Sequence, residues 1–224
     1  MKEQFGFDKF KANDFETHIR QSIPNYEGMR RLIPSIAKNF VFKDTNIYDL
    51  GTSSGDLLLE LEEYMPSNLN LSYIGYDIAD NLLPVQADKS VNFFKRDITD
   101  ESLHLFNTSL IFSLFTLQFI GLDKRVKLLN KVYKSLSKRG CLLICEKVYS
   151  SEGITEDIFT FSNYENKIEN GLSPDEILIK QNDLKQIMKP LTQLENEDLF
   201  RQAGFRVVEV FFKSLNFVGW VLIK

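Results

Sequence analysis

The chain has 224 residues, 43% of them hydrophobic and 26% charged, with a formal net charge of −4. This suits one soluble domain and excludes a disordered chain, and apolar runs such as residues 110–117 are too short and too polar to span a bilayer. The acidic balance gives no general pull toward nucleic acid or anionic lipid, so neither direct nucleic-acid binding nor membrane association is expected.

In chain order, residues 1–10 carry charges where a signal peptide needs an unbroken apolar stretch, so a cytoplasmic protein is expected. Residues 1–40 read as an N-terminal arm, helical from Met1 to about Pro24. Residues 45–50 are a short apolar strand, followed by a glycine-bearing turn and a helix over 56–64 that opens on an acidic residue. Residues 71–77 form the next strand, ending in Asp77. A third runs over 91–96 and ends at Asp97. A fourth, over 109–114, is apolar throughout and therefore buried on both faces.

Residues 123–138 put Val126, Leu129, Tyr133 and Leu136 on one helical face, with Gly140 where a helix commonly stops. Asp123, Lys124, Arg125 and Lys127 read there as solvated charges. Residues 141–145 (CLLIC) are a fifth strand with Cys141 and Cys145 on one side, too far apart to bridge, and they read as core thiols. Residues 149–203 are polar and largely helical, an insertion covering the carboxyl edge of the sheet. The runs 205–213 and 216–224 form an antiparallel hairpin with a tight link at Ser214-Leu215. The alternation of strand and helix implies one α/β domain over residues 1–224, with a mostly parallel sheet and crossover helices. His18 and His104 lack metal-ligand spacing, so no metal is expected, and His18 is not expected to reach the site.

The stretch IYDLGTSSG (residues 47–55) joins the first strand to its helix. At the carboxyl edge of a parallel sheet, such a turn is the usual ligand site, with backbone N–H groups at the helix start expected to be free. From Gly51 the pattern lacks the second and third glycines of a dinucleotide fingerprint, and no Gly-Lys-Ser/Thr follows for a P-loop. Asp49 just before the turn would repel a pyrophosphate but accept from a cationic amino-acid group. Asp77, ending the second strand, is placed to hold two ribose hydroxyls. Asp97-Ile98 are placed to hold an adenine, by carboxylate, backbone N–H and aliphatic contact. An adenosine without phosphates, carrying an amino-acid tail, fits all three positions: S-adenosyl-L-methionine, with Gly51, Thr52, Ser53 and Gly55 forming the turn beneath it.

The whole chain also resembles the carboxy-S-adenosyl-L-methionine synthases, on QSIPNY (21–26), YDLGTSSG (48–55), FTLQF (115–119), Glu146-Lys147, QAGF (202–205) and Asn216-Phe217. The resemblance implies the class I methyltransferase fold, Rossmann-like, with a seven-stranded, mostly parallel sheet, and a homodimer. It implies ligand contacts from Tyr26, the turn at Gly51–Ser53, Asp77-Ile78 and Asp97-Ile98. The reaction it implies moves no methyl group: S-adenosyl-L-methionine gains a carboxyl on its methyl carbon, with prephenate as source and phenylpyruvate as by-product, in tRNA wobble-uridine modification.

Two departures bear on that reaction. Gln181 stands where the family holds the new carboxylate with an arginine, and a neutral amide cannot supply a charged bidentate pair. Leu114 stands where the family has a ligand-binding asparagine, and Ser113 beside it points the other way in a strand. Lys180 supplies a cation one position from Gln181. The leading expectation is therefore a methyltransferase acting on a small molecule, releasing S-adenosyl-L-homocysteine. The alternatives are a divergent carboxy-S-adenosyl-L-methionine synthase and a non-catalytic partner subunit. Candidate substrate contacts are Gln118, Tyr149, Lys180 and Gln181, and candidate catalytic groups are Glu146 and Tyr164.

Overall fold

The computed structural model describes residues 12–84 and 90–224, so the first eleven residues of the expected arm lie outside the described residues. Strands β1 (Asn46–Leu50), β2 (Ser72–Asp77), β3 (Val91–Lys95), β4 (Thr108–Leu114) and β5 (Leu136–Tyr149) pair in parallel. A two-residue strand, β6 (Leu191–Thr192), runs parallel to the end of β5, and β7 (Val207–Ser214) and β8 (Phe217–Ile223) add an antiparallel hairpin. The path across the sheet is β3-β2-β1-β4-β5-β8-β7, with β6 beside it as an eighth strand. Strand order reverses at β1, which has β2 on one side and β4 on the other. The crevice over β1 is therefore the place where such a sheet binds ligands.

Alternate residues of the central strands feed two cores, which is why these strands read as unbroken apolar runs. Tyr48, Ile111, Ile144 and Trp220 point to one face, against Leu128 and Val132 of α4 (Leu122–Ser135) and Phe200 of α7 (Gln193–Gln202). Ile47, Leu110, Phe112 and Leu143 point to the other, against Met29 and Ile33 of α2 (Tyr26–Ala37) and Leu58 and Leu61 of α3 (Asp56–Tyr64). Each such buried aliphatic side chain contributes about 1.5–3 kcal/mol. Cys141 and Cys145 share the second core as free, buried thiols.

Two expectations change here. α4 stops at Ser135, and Gly140 lies beyond it in β5, where a Cβ would come within 2.9 Å of Ser137 O and 3.0 Å of Ser109 O. Close backbone approach, and not helix capping, requires this glycine. Arg125 is 1% exposed: its Nε donates to Ile120 O at 2.9 Å, and its Nη2 donates to Gln118 O at 3.2 Å and Lys189 O at 2.5 Å. It ties the loop after β4 to the chain entering β6.

Three further helices complete the fold: α1 (Ala12–Ser22), α5 (Gly153–Glu169) and α6 (Pro174–Ile187). α6 begins with a reciprocal cap between Ser173 and Glu176 and with Pro174 in its first turn. α1 is tied to the end of α5 by Gln21 Nε2 donating to Asn170 O at 3.0 Å. These three helices bring polar side chains over the carboxyl edge of the sheet.

Candidate functional site

The turn after β1 passes through positive φ at Gly51 (89°), Ser53 (51°) and Gly55 (76°). A Cβ on Gly51 would run into the Thr116 hydroxyl, so the position takes only glycine. Four of the turn's N–H groups are engaged within the protein. Those of Gly51 and Thr52 donate to Tyr76 O at 2.8 and 3.0 Å, that of Ser53 to Asp77 Oδ2 at 2.9 Å, and that of Gly55 to Thr52 O at 2.9 Å. The donors of Gly51, Thr52 and Ser53 hold the turn on β2 and are not offered to a phosphate.

Above the turn lies a cavity of about 620 Å³, within the range of roughly 300–1,000 Å³ of small-molecule sites. Asp49, Asp77 and Asp97 all line it. Asp49 is 3% exposed, and burial pushes its carboxyl up to about 6 against the opposing pull of the Arg30 charge. Asp77 accepts from Ser53 N and from Ala79 N, each at 2.9 Å, which fixes its carboxylate at the centre of the crevice. Burial raises its pKa while those N–H groups hold it back. Asp97 anchors the next loop, with Oδ1 accepting from the N–H and hydroxyl of Thr99, both at 2.8 Å. Beside it Ile98 is buried. The Ser53 hydroxyl is buried without a hydrogen-bond partner among the described residues. Acids at the ends of three adjacent strands, with an unused hydroxyl between, fit a phosphate-free nucleoside bearing an amino-acid tail.

The wall formed by the end of β5, α5 and α6 has the opposite sign. Lys147, Lys167 and Lys180 line it. Burial, reinforced by the charge of Lys167, pushes the Lys180 ammonium down to about 7. Burial and Lys147 push Lys167 down to about 8. Burial lowers Lys147 as well, with Glu156 opposing. Crowded, partly dehydrated ammonium groups disfavour one another, and an anion bound between them relieves both the repulsion and the desolvation. Asn163, one helical turn before Lys167, is 4% exposed, lines the same cavity and has an Oδ1 without a partner among the described residues.

The structure brings most of the sequence candidates together. Tyr26, Asp49, Gly51, Thr52, Ser53, Asp77, Ile78, Asp97, Ile98, Gln118, Lys180 and Gln181 line the one cavity, as does Leu114, while Ser113 does not. Gly55 lies outside the lining and serves as the N-cap of α3 with Phe93 packed against it. Tyr149 is 45% exposed and away from the cavity. Tyr164 packs edge-on against Phe161, with the Lys167 ammonium 5.7 Å from its ring centroid, and also does not line the site.

Glu146 is 2% exposed and outside the cavity. Its Oε1 and Oε2 accept from Leu117 N at 2.9 Å and Gln118 N at 2.7 Å. Burial pushes its carboxyl up to about 8, with Arg125 and these N–H groups opposing. It clamps the loop after β4 from below and is not placed to meet a substrate. That loop carries Phe115 at φ 59°, facing the cavity beside Tyr26, their ring centroids 6.4 Å apart.

His18 does line the cavity, against expectation, with its Nε2 2.9 Å from Ser22 Oγ. Burial, then the charges of Lys180 and Lys167, push it down to about 4, so it is neutral at physiological pH. Arg30, Asn163 and Lys167 were also missed. Lys167 and Asn163 are four residues apart on α5, the spacing of a shared helix face, but no anchor in the sequence says which face of α5 looks inward.

No protein-family model matches the chain. It is similar over its length to curated proteins named carboxy-S-adenosyl-L-methionine synthase. The one from Staphylococcus epidermidis is 33% identical over 217 residues, covering 95% of this chain and 93% of the relative. The one from Methylococcus capsulatus is 32% identical, covering 99% and 94%, and that from Nitratiruptor sp. 34%, covering 100% and 95%. Among solved structures, human N-acetylserotonin methyltransferase in complex with SAM superposes with a TM-score of 0.60 at 16% identity, over 93% of this chain and 55% of that one. A putative O-methyltransferase from Nostoc punctiforme gives 0.60 at 14% identity, over 95% and 59%. These structures establish the class I methyltransferase fold.

Proposed function

This chain belongs to the carboxy-S-adenosyl-L-methionine synthase family, at 32–34% identity over nearly its whole length, and from that premise we propose that it transfers a carboxyl group from a small organic acid to S-adenosyl-L-methionine. The observation that carries this reading is the cluster of Lys147, Lys167 and Lys180 across the cavity from the three strand-end acids. Gln181 removes the forked charge that the family resemblance leads one to expect, yet Lys180 lines the same cavity and supplies positive charge one residue away. A point charge pairs with a carboxylate less specifically than a guanidinium does, but it still offsets the carboxylate's desolvation.

The residues divide the work by position. Asp49, Asp77 and Asp97-Ile98 would hold the amino-acid tail, ribose and adenine. The sulfonium of the bound nucleotide would acidify its methyl C–H. The donor's C–C bond to its carboxyl breaks, the new C–C bond forms as the methyl loses a proton, and that proton leaves as water with the hydroxide that the donor expels. The lysines would bind the carboxylates of the co-substrate, prephenate on the family resemblance, and the half-buried wall around them limits water. A second reading, methyl transfer to a small acceptor, draws on Gln181 and Leu114, which both face the cavity without charge. Methyl transfer needs little beyond a nucleophile held in line with the sulfonium.

Incubation with S-adenosyl-L-methionine, with and without prephenate, followed by mass spectrometry of the nucleotide, tests the choice. A nucleotide gaining one carboxyl only when prephenate is present is the expected result. Recovery of unchanged nucleotide with prephenate, together with S-adenosyl-L-homocysteine when a small acceptor is supplied, would favour methyl transfer instead.

The homodimer and the cytoplasmic setting belong to the same proposal. Ile154, Ile158, Phe161 and Ile168 of α5 are all exposed at near-helical spacing, an apolar stripe suited to a second copy. Sedimentation at two protein concentrations checks this, and a monomer at both would count against it. The free thiols of Cys141 and Cys145 are compatible with a reducing compartment.

A further inference from the structure

Arg30 is a cation at the acidic end of the cavity, on the Asp49 side, while Arg96 and Lys124 line it near Asp97. It lies on α2, four residues after Tyr26, is 7% exposed and lines the cavity. One edge of its guanidinium is used: Nη2 donates to Glu60 Oε2 at 2.8 Å, and Glu60 itself is half-exposed on α3. The other terminal nitrogen, Nη1, is buried and has no hydrogen-bond partner among the described residues. A buried guanidinium nitrogen without an acceptor is costly, and a ligand oxygen is the simplest means of satisfying it.

Its neighbourhood narrows the ligand group. Arg30 is close enough to Asp49 to act on its ionisation, yet the two form no ion pair among the described residues. An acid and a base that face one cavity without neutralising each other match a zwitterion, with the ammonium toward Asp49 and the carboxylate toward Arg30. Asp49 belongs to β1, Asp77 to β2, and Asp97 follows β3, and these strands are adjacent. A nucleoside with adenine at Asp97 and ribose at Asp77 therefore brings its tail to Asp49 and Arg30.

We propose that Arg30 is a specificity-determining residue that binds the α-carboxylate of the amino-acid tail through Nη1, forming with Asp49 a slot for the zwitterion. This rests on the nucleotide reading above but not on which group is transferred. The lysine wall is then left for the co-substrate.

The full-length protein is titrated calorimetrically with S-adenosyl-L-homocysteine and with its decarboxylated analogue, as wild type, Arg30→Met and Arg30→Lys. Wild type should bind the carboxylate-bearing ligand roughly 10- to 100-fold more tightly than the analogue, as for a charged hydrogen-bonded group. Arg30→Met should lose that preference, weakening the first ligand by a similar factor and the analogue by less than about threefold, the signature of a direct contact. If Arg30→Met does not fold, Arg30→Lys, which keeps the charge and loses the fork, should show a smaller loss confined to the carboxylate-bearing ligand. Equal affinity of wild type for both ligands, or an Arg30 variant that weakens both equally, overturns the assignment and leaves Arg30 a buttress for Glu60. Failure of wild type to bind either ligand overturns the nucleotide reading and the assignment with it.

Discussion

At one end of the cavity, Asp49, Asp77 and Asp97 sit at or just past the ends of three adjacent parallel strands. At the other, Lys147, Lys167 and Lys180 come from the end of β5 and the two helices that follow it in the chain. The acidic end is rigid: Asp77 is fixed by two backbone donors, and the turn beneath it is bonded to β2. At the basic end charge is crowded, with ammonium groups depressing one another. A preformed, hydrogen-bonded site suits a ligand of fixed shape. A strained cationic wall suits an anion whose arrival lowers the strain.

The comparison is broken most severely by removing Asp77. Asp77→Ala should weaken S-adenosyl-L-homocysteine roughly 100- to 1,000-fold, because it deletes a charged acceptor and frees the N–H groups of Ser53 and Ala79. Calorimetry showing less than a threefold change would remove the ribose assignment. Next in size, Lys180→Met should cut kcat/KM for the carboxylic co-substrate about 100-fold while leaving S-adenosyl-L-homocysteine affinity within about threefold. Steady-state kinetics beside calorimetry separates the two, and an equal effect on both ligands would erase the division of the cavity.

Opposite pH dependences sharpen the contrast. Asp49 pairs with an ammonium only when ionised, so affinity for S-adenosyl-L-homocysteine should fall as pH drops through about 6. Lys180 binds a carboxylate only when protonated, so co-substrate affinity should fall as pH rises through about 7, by up to about tenfold per unit, with proton uptake on binding. Titrations between pH 5 and 9, placed there by these groups, check both limbs; parallel profiles for the two ligands would refute the scheme.

Most of the sheet was legible because strand periodicity is local: the spans around 45–50, 71–77, 91–96, 109–114, 205–213 and 216–224 matched observed strands within a few residues, whereas the fifth, expected over 141–145, runs Leu136–Tyr149, and the short β6 fell inside the stretch read as helical. Gly140 misled because a helix stop and a close backbone crossing call for the same residue, and only the register of β5 against β4 distinguishes them. Arg125 read as solvated because its sequence neighbours are charged, whereas its three carbonyl acceptors come from two separate loops. Glu146 stood at a strand end as Asp77 does, yet it points away from the cavity and into the loop after β4.

The sequence by itself determined the order of the strands' residues, the glycine turn and the acids that end β1 to β3, since parallel strands with short carboxyl-end turns present those residues side by side. Only the tertiary structure decided what faces them. Which side of α5 and α6 turns inward, whether Lys180 beside Gln181 reaches the cavity, and that Arg30 lines it all depend on helix packing. A helix's polar residues carry no local signal that separates a solvated face from one folded over a ligand.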